Sequence, residues 1–263
     1  MPSLPIFQVD AFADRPFTGN PAAVCPLPAP LPDALMQNIA AENNLSETAF
    51  FHPQDDGAFA LRWFTPTVEV ELCGHATLAS AFVLMTQLEP ARASVAFTTR
   101  SGRLTVNRSG ELYQLDFPLQ RPERVAEDSG PVAIALGATP VEILRARSWV
   151  AVFSSADEIR RLAPDMAALA RLGTAVCVTA PADTDSLDFV SRYFAPGFGV
   201  PEDPVTGSSY CMLAPYWAAR LGRSRLRARQ LSRRGGAVEC EAREARVLIR
   251  GAARLVLTGQ FHY

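Results

Sequence analysis

The sequence predicts a mixed α/β (α+β) fold with two pseudo-equivalent domains, each a curved, mostly antiparallel sheet wrapped around a central helix. The 263 residues are 48% hydrophobic, enough for one large core or two smaller ones. Strands and a peripheral helix precede an almost wholly apolar helix in each half. Such a helix has no polar face to turn to water, so a sheet must surround it. Each follows a loop of small residues, in "ELCGHATLASAFVL" and "DPVTGSSYCMLAPYW".

The first half is predicted to contain mainly strands. Alternating apolar residues predict strands over 5–13, 45–53, 59–66 and 68–73, and three more within 94–118 separated by turns at 101–102 and 109–110. The segment 17–27 is predicted to be a turn followed by a short strand. Helical spacing of apolar residues predicts a helix over 32–43. Asp33 is its expected N-cap and Asn44 the left-handed residue that ends it. The buried helix is expected from Ala76 to Leu88.

A polar, Pro- and Gly-marked segment, 119–131, is the predicted domain boundary. Beyond it we expect a short helix over 132–138, a strand over 147–153, helical turns over 156–173, and strands over 174–181 and 188–196. The second buried helix is expected within 202–222. Four strands should follow it, around 228–232, 237–242, 245–250 and 254–261. Pro215 is expected to kink that helix. The predicted domains are 1–118, completed by 253–263, and 119–252, with an active-site cleft between them.

Composition excludes several classes of protein. The net charge of −2 gives no sign of nucleic-acid or membrane binding. There is no lysine, which disfavours a pyridoxal-phosphate enzyme, a Schiff-base enzyme and a Walker A loop. No GxGxxG follows a strand, and the presence of only three histidines disfavours a histidine-rich metal site. What remains is a cofactor-free enzyme, a binding module or a metal site made mostly of carboxylates; of these we predict a protein with no cofactor and no metal. Five scattered cysteines and no signal-like N-terminus predict reduced thiols in a cytoplasmic protein.

The starts of the two apolar helices are candidate anion sites. A helix N-terminus presents free N–H groups and about half a positive charge. Gly74, Gly207 and Ser208 would let a carboxylate approach, whereas the alternative is ordinary capping by Thr77 and Thr206.

Four side chains near these helix starts are candidates for chemistry. Glu47 lies among apolar residues of a strand, where a carboxyl group in a pocket makes a good general acid/base; the alternative is an exposed rim residue. His75 would bind substrate or act as an acid/base. Cys73 is either a small buried hydrophobe or, if the helix end lowers its pKa, a proton-transferring thiol. Asp203 is either a turn residue or a ligand for an ammonium or hydroxyl group.

Five segments together resemble one family over nearly the whole length: "FQVDAFADRPFTGNPAAV", "NLSETAFF", "RWFTPTVEVELCGHATLASAFVL", "DPVTGSS" and "QLSRRGG". The chain resembles the PhzF-like proteins, the phenazine biosynthesis isomerase family, whose fold is diaminopimelate epimerase-like.

The resemblance implies a cofactor-independent isomerase that moves a proton on a small carboxylate of the trans-2,3-dihydro-3-hydroxyanthranilate kind. It implies that Glu47 transfers the proton, that His75 positions the substrate, and that Asp203 and Ser208 line the same pocket. Backbone N–H groups near Gly74 and Gly207 would receive the carboxylate. A homodimer is also implied.

Two departures from the pattern bear on the reaction. Epimerase relatives use one cysteine from each half; Cys73 matches the first, but the second junction has none. Tyr210 stands where close relatives carry histidine, and is expected to reshape the pocket. The alternatives are an amino-acid or hydroxy-acid epimerase that uses Cys73 with Glu47 or Asp203, and a non-catalytic protein that binds small acids.

Overall fold

The computed structural model describes residues 1–125 and 129–263, so part of the predicted boundary segment 119–131 lies outside the described residues. The chain divides into two compact units, one formed by Met1–Asp116 with Arg250–Tyr263 and the other by Phe117–Ile249. Among the described residues, no helix combines the length and the hydropathy that a bilayer-spanning segment needs.

The secondary structure follows the predicted order of strands and helices. The elements up to residue 118 are β1 (Ser3–Ala11), β2 (Asn20–Pro26), α1 (Asp33–Asn43), β3 (Glu47–Pro53), β4 (Phe59–Phe64), β5 (Glu69–Val70), α2 (Gly74–Val83), β6 (Ser94–Thr99), β7 (Gly102–Ser109) and β8 (Leu112–Pro118). A π-helical turn, Leu84–Leu88, continues α2.

The later elements are β9 (Glu123–Arg124), α3 (Gly130–Leu136), β10 (Glu142–Arg145), β11 (Trp149–Val152), α4 (Ala156–Arg161), α5 (Met166–Arg171), β12 (Val176–Pro181), β13 (Phe189–Ala195), β14 (Val200–Asp203), α6 (Tyr210–Leu221), β15 (Arg225–Gln230), β16 (Gly236–Ala242) and β17 (Arg246–His262). Short 3-10 turns occupy Pro196–Phe198 and Gly207–Ser209.

In the first unit a single sheet surrounds α2. Antiparallel pairs join β17 to β1, β1 to β2, β3 to β4, β6 to β7 and β7 to β8, and parallel pairs join β2 to β3 and β4 to β6. Because β8 also pairs with β17, the sheet closes on itself. Inside it, every α2 residue except Phe82 is buried, so the apolar helix has no solvent-facing side.

The second unit repeats this pairing pattern. Antiparallel pairs join β10 to β11, β12 to β13 and β15 to β16, and parallel pairs join β11 to β12 and β13 to β15. In α6 the first six residues and Trp217 are buried; the Trp217 ring stacks on Phe189 and its Nε1–H donates to Thr179. The predicted α+β class, with two pseudo-equivalent curved sheets around central helices, is confirmed.

Several local predictions need correction. Pro32, not Asp33, precedes the first residue of α1, and the Asp33 carboxylate instead accepts from Arg62 at 2.7 Å. Asn44 has a φ of 49° and ends the helix, as predicted. The two strands expected over 245–250 and 254–261 are one continuous strand, β17. No proline lies between them, and the glycine that does, Gly251, stays in the strand, where a Cβ atom would meet the Phe12 ring.

Pro215 lies inside α6, where it has no N–H to donate to the Cys211 carbonyl one turn earlier. The backbone N–H of Gln120 donates to that carbonyl instead, at 3.0 Å. The helix thus includes a proline without leaving a buried carbonyl unsatisfied.

Leu78 provides a test of how much the central helix stabilises the first unit. Leu78 in α2 is 0% exposed, whereas Leu88 at the end of the same helical segment is 44% exposed. We expect Leu78→Ala to lower the free energy of unfolding by about 2–5 kcal/mol, because it leaves a cavity in the core. Leu88→Ala should change it by about 0.5 kcal/mol or less. Urea unfolding of both variants measures the difference, and equal effects would contradict a packed central helix.

Candidate active site

Helix α2 begins at Gly74, within the segment predicted to hold its start but two residues before the expected Ala76. Cys73 is the N-cap residue in extended conformation and makes no side-chain cap hydrogen bond. Capping by Thr77 is wrong: Thr77 lies inside the helix, and its hydroxyl donates to the Cys73 carbonyl at 2.6 Å. The N–H groups of the first turn have no carbonyl partner within α2; that of Ala76 contacts the Cys73 thiol, so those of Gly74 and His75 are the candidates for binding an anion.

Glu47 and His75 meet at this helix start. Glu47 is the first residue of β3, paired with Ala22 of β2, and its side chain is 16% exposed; that of His75 is 5% exposed. Glu47 Oε2 and His75 Nε2 lie 3.0 Å apart. Both atoms are buried and face each other at ion-pair distance. The alternative of an exposed rim position for Glu47 is therefore wrong.

The other side of the His75 ring contacts two groups. Nδ1 lies 3.2 Å from Asn20 Nδ2 and 3.4 Å from Cys73 Sγ. The sequence patterns did not single out Asn20, although it is in the first segment that carries the family resemblance. The role of Asn20 depends on its buried contact with His75, which is distant in sequence. Local sequence patterns do not predict such a contact.

The charges around His75 favour a protonated ring and a neutral thiol. Burial alone lowers the pKa of His75, but Cys73 and Glu47 outweigh it and hold this pKa well above its usual value. Burial, with a contribution from Glu47, raises the pKa of Cys73 to about 11. The hypothesis that the helix end lowers the thiol pKa is therefore wrong.

Stability should depend on pH through His75. A raised folded-state pKa means that the native protein holds a proton that the unfolded chain releases above about pH 6.5. As pH rises from about 6.5 to the pKa of His75 in the folded protein, the free energy of unfolding of wild type should therefore fall relative to that of His75→Gln. The fall is up to about 1.4 kcal/mol per pH unit. Urea unfolding from about pH 6 to about pH 8.5 measures this difference. A constant difference, or a gain by wild type as pH rises, would contradict the Glu47–His75 ion pair.

The donor atoms of Glu47, Cys73 and His75 lie within 4.8 Å of one another, a spacing compatible with a metal ion. Their directions do not converge, since Cys73 faces Nδ1 and Glu47 faces Nε2 of the same ring. A metal ion binds an imidazole through one nitrogen, in the plane of the ring. These three side chains therefore do not form a single chelating site.

The second helix start is held by a polar network within its own unit. The Thr206 hydroxyl donates to the Asp203 carboxylate, and the Thr206 N–H donates to Gln230 Oε1 at 2.9 Å. Gln230 Nε2 donates to the Asp203 carbonyl, and the Ser232 hydroxyl donates to the Pro204 carbonyl at 2.7 Å. The "QLSRRGG" segment thus fixes the loop before α6.

Gly207 and Ser208 lie in the 3-10 turn that leads into α6. Thr206 precedes this turn but makes no side-chain cap hydrogen bond. Tyr210 is fully buried against Phe189, with ring centroids 6.0 Å apart, so it packs in the core of its unit. The substrate-binding roles of Asp203, Gly207 and Ser208 stay predictions.

The chain is similar to known proteins over its whole length. A family model described as phenazine biosynthesis-like protein matches residues 9–259. An uncharacterized isomerase of Pseudomonas aeruginosa is 53% identical over 260 residues, which cover 98% of this chain and 99% of that protein. The crystal structure of a phenazine biosynthesis protein of the PhzF family from Enterococcus faecalis is 46% identical, covers 100% of both chains and superposes with a TM-score of 0.95.

The likeness extends, at the level of fold, to the epimerases. A hydroxyproline epimerase from Agrobacterium vitis superposes with a TM-score of 0.60 at 12% identity, covering 98% of this chain and 92% of that one. The predicted epimerase-like fold is confirmed. With a matching family model and relatives of this identity along the full chain, the protein belongs to the phenazine biosynthesis-like (PhzF) family of isomerases.

Proposed function

We propose that this protein is a cofactor-independent isomerase in which Glu47 moves a proton on a small carboxylate substrate of the trans-2,3-dihydro-3-hydroxyanthranilate kind. The observation that carries the proposal is the 3.0 Å contact between Glu47 Oε2 and His75 Nε2, two side chains with little exposure at the start of α2. A carboxylate and an imidazole held together in this way are the groups that acid/base catalysis uses, and a substrate bound beside them would meet both.

Each residue of the site has its own role in the proposed reaction. The Glu47 carboxylate removes a proton from a ring carbon conjugated with the substrate carboxylate, and the electron pair left behind shifts along the conjugated system. The carboxyl proton of Glu47 exchanges with solvent, and Glu47 then delivers a proton to a second ring carbon, so the substrate loses one proton and gains one. His75 Nε2–H donates a hydrogen bond to the substrate. The free N–H groups of Gly74 and its neighbours in α2 stabilise the substrate carboxylate.

Glu47 needs no metal or organic cofactor in this scheme, because carboxylate delocalisation stabilises the displaced electron pair. The predicted homodimer and cytoplasmic location are retained as part of the proposal.

Proton exchange with solvent tests the proposal. Wild-type protein is incubated with trans-2,3-dihydro-3-hydroxyanthranilate in D₂O, and the recovered compound is analysed by NMR and mass spectrometry. We expect an isomerised product that contains solvent deuterium at the carbon that receives the proton. A substrate that raises Tm without any exchange would instead support a non-catalytic binding protein, because a ligand that binds the native state stabilises it whether or not it reacts.

A second candidate is an epimerase that uses Cys73, and the 3.4 Å contact between Cys73 Sγ and His75 Nδ1 favours it. This candidate requires the neutral form of His75, whose bare Nδ1 would accept the thiol proton and so generate the thiolate that removes a Cα proton. This candidate predicts Cα deuterium in a panel of chiral amino acids and 2-hydroxy acids, and loss of that exchange in Cys73→Ser. Exchange confined to the dihydroanthranilate, unchanged in Cys73→Ser, would exclude it.

A further inference from the structure

A strained loop carries Asn20 to the His75 ring. Between β1 and β2 the chain contains three residues with positive φ, namely Phe12 at 57°, Phe17 at 68° and Gly19 at 70°. A bulky residue at positive φ is rare and persists only where surrounding contacts enforce it. Such strain is common in loops that place a functional side chain.

The contacts that hold this loop are buried. The Asp10 carboxylate on β1, 1% exposed, accepts the Phe17 N–H at 2.8 Å. Phe12 is fully buried and lies against Gly251 of β17, where a Cβ atom would come within 2.3 Å of the Phe12 ring. The loop is therefore anchored to two strands before the chain enters β2 at Asn20.

Asn20 is fully buried, and its amide meets His75 on the side of the ring opposite Glu47. A carboxamide can donate through Nδ2 to a bare Nδ1 or, after turning over, accept through Oδ1 from a protonated Nδ1. It is thus compatible with the ring both before and after His75 loses a proton. An aspartate at the same place would only accept, and would stabilise the charged ring alone.

We propose that Asn20 is the positioning residue of His75: its amide holds Nδ1 in either protonation state and so keeps Nε2 facing Glu47. This inference rests on the proposed function of Glu47 and His75, but its claim about the ring can be tested without a substrate.

The titratable groups around the ring are few. Glu47 of β3 and Cys73 at the start of α2 contact it. Of the other strands that pack against α2, β1 contributes Asp10 and β2 contributes the buried thiol Cys25. A second carboxylate on the Nδ1 side would therefore add to Glu47 in stabilising the imidazolium.

NMR titration of His75 tests the inference directly. The chain has three histidines, so His52→Gln and His262→Gln in the same background leave one ring to observe. We expect Asn20→Asp to raise the His75 titration midpoint by about 1 pH unit or more, and Asn107→Asp, an exposed position on β7, to leave it unchanged. An unchanged midpoint in Asn20→Asp would overturn the inference.

Activity provides the second measurement, which also applies if Asn20→Asp does not fold. Asn20→Ala should lower kcat by about 10–100-fold with KM within about twofold, because the ring is misaligned while substrate contacts remain. Asn107→Ala should match wild type. An unchanged kcat in Asn20→Ala would overturn the inference. A different result would separate the two proposals. If Asn20→Asp shifts the His75 midpoint but the wild-type protein exchanges no substrate proton, the inference about Asn20 stands and the proposed function is refuted.

Discussion

Glu47→Gln is expected to lower the rate of proton exchange on the dihydroanthranilate by about 10²–10⁴-fold, the range of a lost general acid/base. Glutamine has nearly the same shape but cannot accept a proton, so substrate binding should persist while chemistry fails. Initial rates of deuterium incorporation in D₂O measure the loss, and KM measures binding.

A matched control separates this effect from a general loss of structure. Glu42 is an exposed glutamate of α1 in the same unit, so Glu42→Gln removes the same charge without touching the site. It should exchange at the wild-type rate. A Glu47→Gln variant that keeps the full rate would remove Glu47 from its proposed role.

Gly19→Ala is expected to have a large effect on stability. At a φ of 70°, a Cβ on this residue would lie 2.2 Å from the Ala11 carbonyl oxygen, far inside contact distance. Because the obstructing atom is backbone, the loop must move. Gly57→Ala is the matched control, with a φ of 78° and nothing within 4 Å of the added atom.

Both variants place alanine in the left-handed region, which we expect to lower the free energy of unfolding by about 1–2 kcal/mol. The steric overlap should add about 1–3 kcal/mol for Gly19→Ala alone. Urea unfolding gives both values. Because the loop carries Asn20, Gly19→Ala should also slow proton exchange while Gly57→Ala does not. Equal stability losses would show that the loop is not held as tightly as its geometry indicates.

The strands and the two buried helices were predictable because their signals are local. Alternation of apolar residues marks strands, and α2 and α6 are too apolar for any position but the interior. Similar element order in the two halves also indicated two related units. The length of β17 and the strand β10 were not predicted, since their ends depend on pairing partners elsewhere in the chain.

The candidate site was predictable only in part. Glu47 and His75 stood out as polar groups in apolar surroundings, but their 3.0 Å approach depends on how β3 packs beside α2. The raised pKa of Cys73 depends on burial and on the neighbouring Glu47, neither of which is visible in the local sequence. Asn20 escaped notice because its position is set by positive φ at Phe17, a residue type that gives no sign of such a conformation.

The second helix start shows the same division between local and distant signals. "DPVTGSS" indicated a tight polar loop before α6, and the Thr206–Asp203 hydrogen bond is of that local kind. The support from Gln230 and Ser232 comes from a segment that is distant in sequence. Pro215 similarly relies on Gln120 to satisfy the Cys211 carbonyl.

A crystal structure of the Glu47→Gln variant with bound trans-2,3-dihydro-3-hydroxyanthranilate would test the central claim most directly. We predict that the ring carbon that loses its proton lies about 3–3.5 Å from the side chain at position 47, the distance needed for transfer. The His75 Nε2 atom should hydrogen-bond the same molecule, and its carboxylate should meet the first-turn N–H groups of α2. A ligand bound elsewhere, with these two side chains left facing each other, would contradict the account.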